Sequence, residues 1–122
     1  MRALSFALCA LMAGAIVAPV EAASRDLTGN GMGETCAATT RIDRTGRVDL
    51  ADASYCLGFI TAMLFVGEHL ETESRFCPAR EVSIQQATNV FLKYLNANPE
   101  RTHYSAVSLA VEAFQQAWPC PR

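Results

Sequence analysis

The sequence predicts an all-α fold, a small bundle of three to four antiparallel helices stapled by two disulfides. Three observations predict it. Apolar residues recur at three and four positions through the second half of the chain, helix-capping residues precede those runs, and four cysteines fall within about a hundred residues behind an apolar leader. At 122 residues the chain has room for one domain and little more.

The leader reads as a secretory signal. Arg2 supplies a short positive region, residues 3–20 are almost wholly apolar, and Pro19 closes the run. Val20-Glu21-Ala22 then offers small residues at the positions a signal peptidase reads, so cleavage is expected before Ala23. The rival reading is an uncleaved anchor, since the run just reaches the roughly 17–25 residues that span a bilayer; the lone basic flank and the small-residue exit favour cleavage. Cys9 makes no lipoprotein signal, because Leu8 precedes it where a small residue is required. The expected organisation is therefore a signal peptide over residues 1–22 and one helical domain over residues 23–122.

Ten basic and twelve acidic residues give a net charge of −2, and removing Arg2 and Glu21 leaves it unchanged. Lys93 is the only lysine and no basic cluster exists, so neither nucleic acid nor, after signal cleavage, a membrane is an expected partner. A domain of this size buries roughly two-thirds of its unfolded surface, which leaves an unassisted core marginal.

The cysteines supply the assistance. Cys36, Cys56, Cys77 and Cys120 form an even set in a short exported chain, the pattern of a disulfide framework. Zinc is the competing use, but it wants paired ligands two to four residues apart and these lie 20, 21 and 43 apart. No CxxC redox pair is present.

Along the domain, residues 23–33 are polar and rich in glycine, a loose arm or a frayed first helix leading to Cys36. Residues 39–47 are polar, with Gly46 as a turn signal. Asp49 then reads as an N-cap with Asp52 in the first turn, where negative charge suits the helix dipole. The run from Tyr55 to Val66 is apolar all round, as expected of a central helix covered on several sides by its own chain or by a second subunit. Ser83-Ile84-Gln85-Gln86 matches a capping box and opens a second helix with Ile84, Ala87, Phe91 and Tyr94/Leu95 on one stripe. Asn98 ends it, and Pro99 suits the first turn of a third helix carrying Tyr104, Val107, Val111, Phe114 and Trp118.

Helices joined by short links run antiparallel, which returns the C-terminal segment to the end where the first interhelical loop sits. That geometry pairs Cys77 with Cys120 and leaves Cys36 for Cys56. In the chain-entropy picture the two closures are worth about 3 and 4 kcal/mol.

Little in the sequence carries chemistry. It lacks HExxH, GxSxG and any glycine loop suited to phosphate, and His69 and His103 both stand in polar stretches. A Cys–His dyad needs a free thiol, and bridge formation leaves none in the domain. No catalytic residue, metal site or cofactor is expected.

The ordered motifs say more. Tyr55-Cys56-Leu57-Gly58-Phe59-Ile60 is followed by Cys77-Pro78, Val82-Ser83-Ile84-Gln85-Gln86, Tyr94-Leu95, Asn98-Pro99-Glu100, His103 and Ala117-Trp118-Pro119-Cys120. This series, over residues 36–120, closely resembles the Rap/Tai family of immunity proteins against type VI secretion amidase effectors. Leu27-Thr28-Gly29-Asn30 resembles the family's opening as well, while Gly31 and Gly33 depart from the helix formers the family tends to carry there. The resemblance implies an all-helical periplasmic protein, commonly a homodimer, that occludes a cysteine-dependent peptidoglycan amidase. Glu68, Glu71, Glu73 and Arg75 on the first interhelical loop are the candidate partner contacts, against the plainer reading of a solvated loop. Phe59, Met63 and Phe65 are the candidate dimer contacts. The alternative function is a periplasmic stress chaperone or general protein-binding module without a cognate toxin; a small hydrolase is a further rival.

Overall fold

A computed structural model describes residues 25–40 and 49–122. The signal segment and Gly46 lie outside the described residues. Four helices follow in order: α1 (Gly29–Ala37), α2 (Leu50–Gly67), α3 (Ile84–Ala97) and α4 (Ala106–Ala117), with a 3-10 turn at Pro99–Arg101 before α4. The described residues contain no strand, only a single antiparallel bridge between Thr28 and Ser105. The expected helical fold is what the chain adopts, with both expected bridges, Cys36–Cys56 and Cys77–Cys120, in place.

Local chemistry sets the helix starts. The Asp49 carboxylate accepts from the backbone N–H groups of Ala51 and Asp52, and the Ser83 hydroxyl accepts from that of Gln86. Each satisfies donors that the first turn of a helix leaves unpaired.

The ends of the bundle follow from a few contacts. At one end the start of α1 meets the link into α4: Gly29 N donates to Tyr104 O at 2.9 Å, Asn30 N to Thr102 O at 2.8 Å and Ala106 N to Leu27 O at 2.8 Å. At the other end Phe76 fills the space between the last turns of α2 and α4, its ring edge-on to Phe114 at 5.2 Å. The α3–turn–α4 connection reverses direction, so α2 and α4 finish side by side. The core is Met32, Cys36, Cys56, Ile60, Met63, Phe76, Phe91, Leu95, Leu109 and Phe114 with the small Ala87, Ala106, Ala110 and Ala113 between them.

Three expectations need correction. The glycine-rich arm is a formed nine-residue helix, capped by Thr28, whose hydroxyl accepts from Gly31 N. Gly29 answers to tertiary crowding: a β-carbon there would sit 2.5 Å from Leu109 Cδ1 and 2.9 Å from Thr102 O. The final helix begins at Ala106, seven residues after Pro99, and buries Ala106, Leu109, Ala110, Ala113 and Phe114. Tyr104 and Val107 from the expected stripe are exposed, because the alanines on the neighbouring face let α4 approach α3 more closely than a row of large side chains would. Finally, the chain itself covers α2 on one side and not on several. Ala53, Cys56, Ile60, Met63 and Gly67 face the core, while the opposite side is open. By length and composition α2 is also apolar enough to cross a membrane, but its inner face is committed to the core and to the bridge with α1.

Candidate functional site

No catalytic constellation assembles among the described residues. They hold no group of three or more histidine, cysteine, aspartate or glutamate side chains placed to bind a metal ion. His69 and His103 are exposed and lie on different parts of the chain, the first stacked beside Phe65 and the second beside Tyr104. All four cysteines from Cys36 onward are in disulfides.

A half-exposed polar cluster joins α3, the 3-10 turn and α4. Arg101 donates from both terminal nitrogens to Glu112, at 2.5 and 2.7 Å, and from Nη1 to the Tyr94 oxygen at 2.8 Å; the Tyr94 hydroxyl in turn donates to Glu112. The Arg101 guanidinium, followed by the Tyr94 hydroxyl, holds the Glu112 carboxyl below its ordinary range. Burial first, then the bond to Glu112, pushes the Tyr94 hydroxyl up. The first keeps Glu112 ionised as the acceptor and the second keeps Tyr94 protonated as its donor, so the clasp stays closed. Its donors and acceptors are spent on one another, which marks it as structural.

What the fold offers instead is surface, in two adjoining regions. The first is the segment between α2 and α3. Its four expected contact residues, Glu68, Glu71, Glu73 and Arg75, are all exposed. The segment is pinned from beneath. Phe76 is fully buried, Cys77 is bridged to Cys120, and Cys77 N donates to Trp118 O at 2.8 Å. From α4, the Gln115 amide donates to Glu73 O at 2.7 Å and to Arg75 O at 3.4 Å, and Arg75 Nε donates to Leu70 O at 3.3 Å. Three exposed carboxylates are thus presented on a backbone that is tied down at several points.

The second region is the outer face of α2. Leu50 is 75% and Phe65 77% exposed, with Tyr55, Leu57 and Val66 along the flanks at 37–38%. Gly58 lies in this face, and a β-carbon there would meet nothing within 4 Å. Of the three expected dimer contacts, only Phe65 points outward. Met63 is buried and Phe59 is half-buried against Phe91, their ring centroids 5.7 Å apart. The sequence carries a signal for the outer face in the spacing from Cys56. Once Cys56 is bridged inward, helical spacing carries Ile60, Met63 and Gly67 with it and turns Gly58 and Phe65 away.

No curated protein and no solved structure matches the chain. The family model described as Rap1a immunity proteins matches residues 28–120, which takes in all four helices and both bridges. The chain belongs to the family of Rap1a immunity proteins, whose members act by binding a cognate effector.

Proposed function

We propose that this chain is a periplasmic immunity protein that binds and occludes a peptidoglycan amidase effector delivered by type VI secretion. It works as a docking surface and catalyses nothing. The observation that carries the reading is the family match, joined to a scaffold whose exposed acidic loop is fixed by a disulfide, a buried phenylalanine and a hydrogen bond from α4. A preordered loop binds with little entropy left to lose, which suits an inhibitor that must act at low concentration. Two structural bridges suit an oxidising compartment, and the apolar leader over residues 1–22 suits export with cleavage before Ala23.

The working form is a homodimer joined through the outer face of α2, with Phe65 and Leu57 packing across and Gly58 permitting close backbone approach. No cofactor, nucleic acid or membrane enters this mechanism.

The test is a pull-down of the purified, oxidised protein with candidate periplasmic amidases, followed by an assay of peptidoglycan cleavage. Stoichiometric capture with loss of cleavage is the expected result; failure to retain or inhibit any member of an amidase panel would count against the assignment. Light scattering of the same sample tests the dimer, which a strict monomer would refute.

A second reading has one observation in its favour. The exposed apolar face of α2 would also suit a stress chaperone or general binding module. Suppressing the aggregation of unrelated unfolded proteins would support that reading; selective capture of one amidase supports the first.

A further inference from the structure

The two disulfides occupy unlike environments. Cys36 and Cys56 are each 0% exposed, both lie within helices, and their bridge is part of the core that Met32 and Ile60 complete. Cys77 and Cys120 are only half-buried. Cys77 stands in the irregular segment between α2 and α3, and Cys120 lies beyond the end of α4 between the exposed Pro119 and Pro121. A thiolate must reach a disulfide sulfur to cleave it, so access and local opening decide which bridge reacts first. Reaching Cys36–Cys56 requires separating α1 from α2, an opening of the core. Reaching Cys77–Cys120 requires only a shift of irregular backbone, the kind of segment that opens at least free-energy cost.

We infer that Cys77–Cys120 is a separately reducible latch on the acidic loop, while Cys36–Cys56 is a permanent staple. A dithiol attacks one sulfur of the latch, forms a mixed disulfide, and closes on itself; two electrons and two protons pass to Cys77 and Cys120, which leave as thiols, and the reductant becomes a cyclic disulfide. The four helices remain assembled, because Phe76 and Phe114 still hold their places in the core. What is lost is the tether that, with Gln115, holds the backbone of residues 68–77 against α4. Loop order thereby comes under control of the local thiol–disulfide balance. That this matters for inhibition rests on the acidic loop being the docking edge; the latch itself does not.

The native, oxidised protein is exposed to graded dithiothreitol, quenched with iodoacetamide and mapped by mass spectrometry, with amide hydrogen exchange on the same samples. The expected result is that Cys77 and Cys120 are alkylated at least about tenfold faster than Cys36 and Cys56, with helical circular dichroism retained. Amide exchange should quicken in residues 68–77 and 118–122 and not in α1. Alkylation of all four cysteines together, or of Cys36 and Cys56 first, overturns the inference, as does loss of helical signal with the first bridge. No amidase enters this measurement, so it can fail while the immunity reading stands, and the reverse.

Discussion

Phe76 rests so closely on Gly67 that a β-carbon on the glycine would lie 2.3 Å from Phe76 Cε2. That contact seats the loop against the end of α2, with Phe114 of α4 also packed against the ring. In isolation Gly67→Ala favours helix by about 1 kcal/mol. Here it is expected to lower stability by about 1–3 kcal/mol, the usual cost of overpacking. Phe76→Ala should cost about 3–5 kcal/mol by cavity formation. Urea denaturation of both variants checks this, and an unchanged midpoint for Gly67→Ala would mean the ring moves aside freely.

The same reasoning applies at the opposite end. Gly29→Ala places a methyl against Thr102 O and Leu109 Cδ1, and the carbonyl cannot rotate away as a side chain can. Thermal unfolding should show a loss of about 1–3 kcal/mol. A variant as stable as the parent would restore the view of α1 as a loosely held arm.

These glycines mark where sequence reading reached its limit. Asp49 and Ser83 were legible as caps because capping is a local interaction between a side chain and the next turn. The disulfide pairing was legible because helix order alone brings Cys120 back to Cys77. Helix α1 was not, since propensity ranks glycine low without regard to what presses on it, and at Gly29 another helix does. The inner face of α4 was misjudged for a related reason. Alanine counts for little in an apolar pattern, yet Ala106, Ala110 and Ala113 are the residues buried, and Val107 is not. The acidic loop was legible as exposed, but not the Gln115 and Phe76 ties that hold it still.

The Arg101–Glu112–Tyr94 clasp gives stability a pH dependence. The folded state depresses the Glu112 pKa below its ordinary value of 4.5, so the ionised form is the one folding favours. The contribution is therefore fully present above pH 4.5 and is lost as pH falls through the depressed value. Glu112→Gln should lower stability at pH 7 by about 1 kcal/mol, the range for a partly exposed, screened pair. The gap between variant and parent should close on acidification below 4.5. Chemical denaturation at several pH values checks this, and a gap that stays constant into acid would remove the ionic contribution.

Charge reversal tests the loop as a docking edge. Glu68→Lys, Glu71→Lys and Glu73→Lys alter exposed side chains and should leave Tm within a degree or two. If the loop meets the amidase, at least one should weaken binding by about tenfold or more, the scale of an interfacial charge left facing a like charge. Arg75→Glu extends the scan to the loop's cation. Titration calorimetry reads each effect, and unchanged affinity across all four removes the loop from the interface.

Survival of cells carrying the toxin is the most direct measure of immunity. Cells that export a type VI amidase to their own periplasm should lyse, and co-expression of the full-length chain should restore growth. The same chain without residues 2–22 should give no protection. Lysis that continues despite abundant, oxidised immunity protein in the periplasm, across a panel of such amidases, would contradict the proposed function.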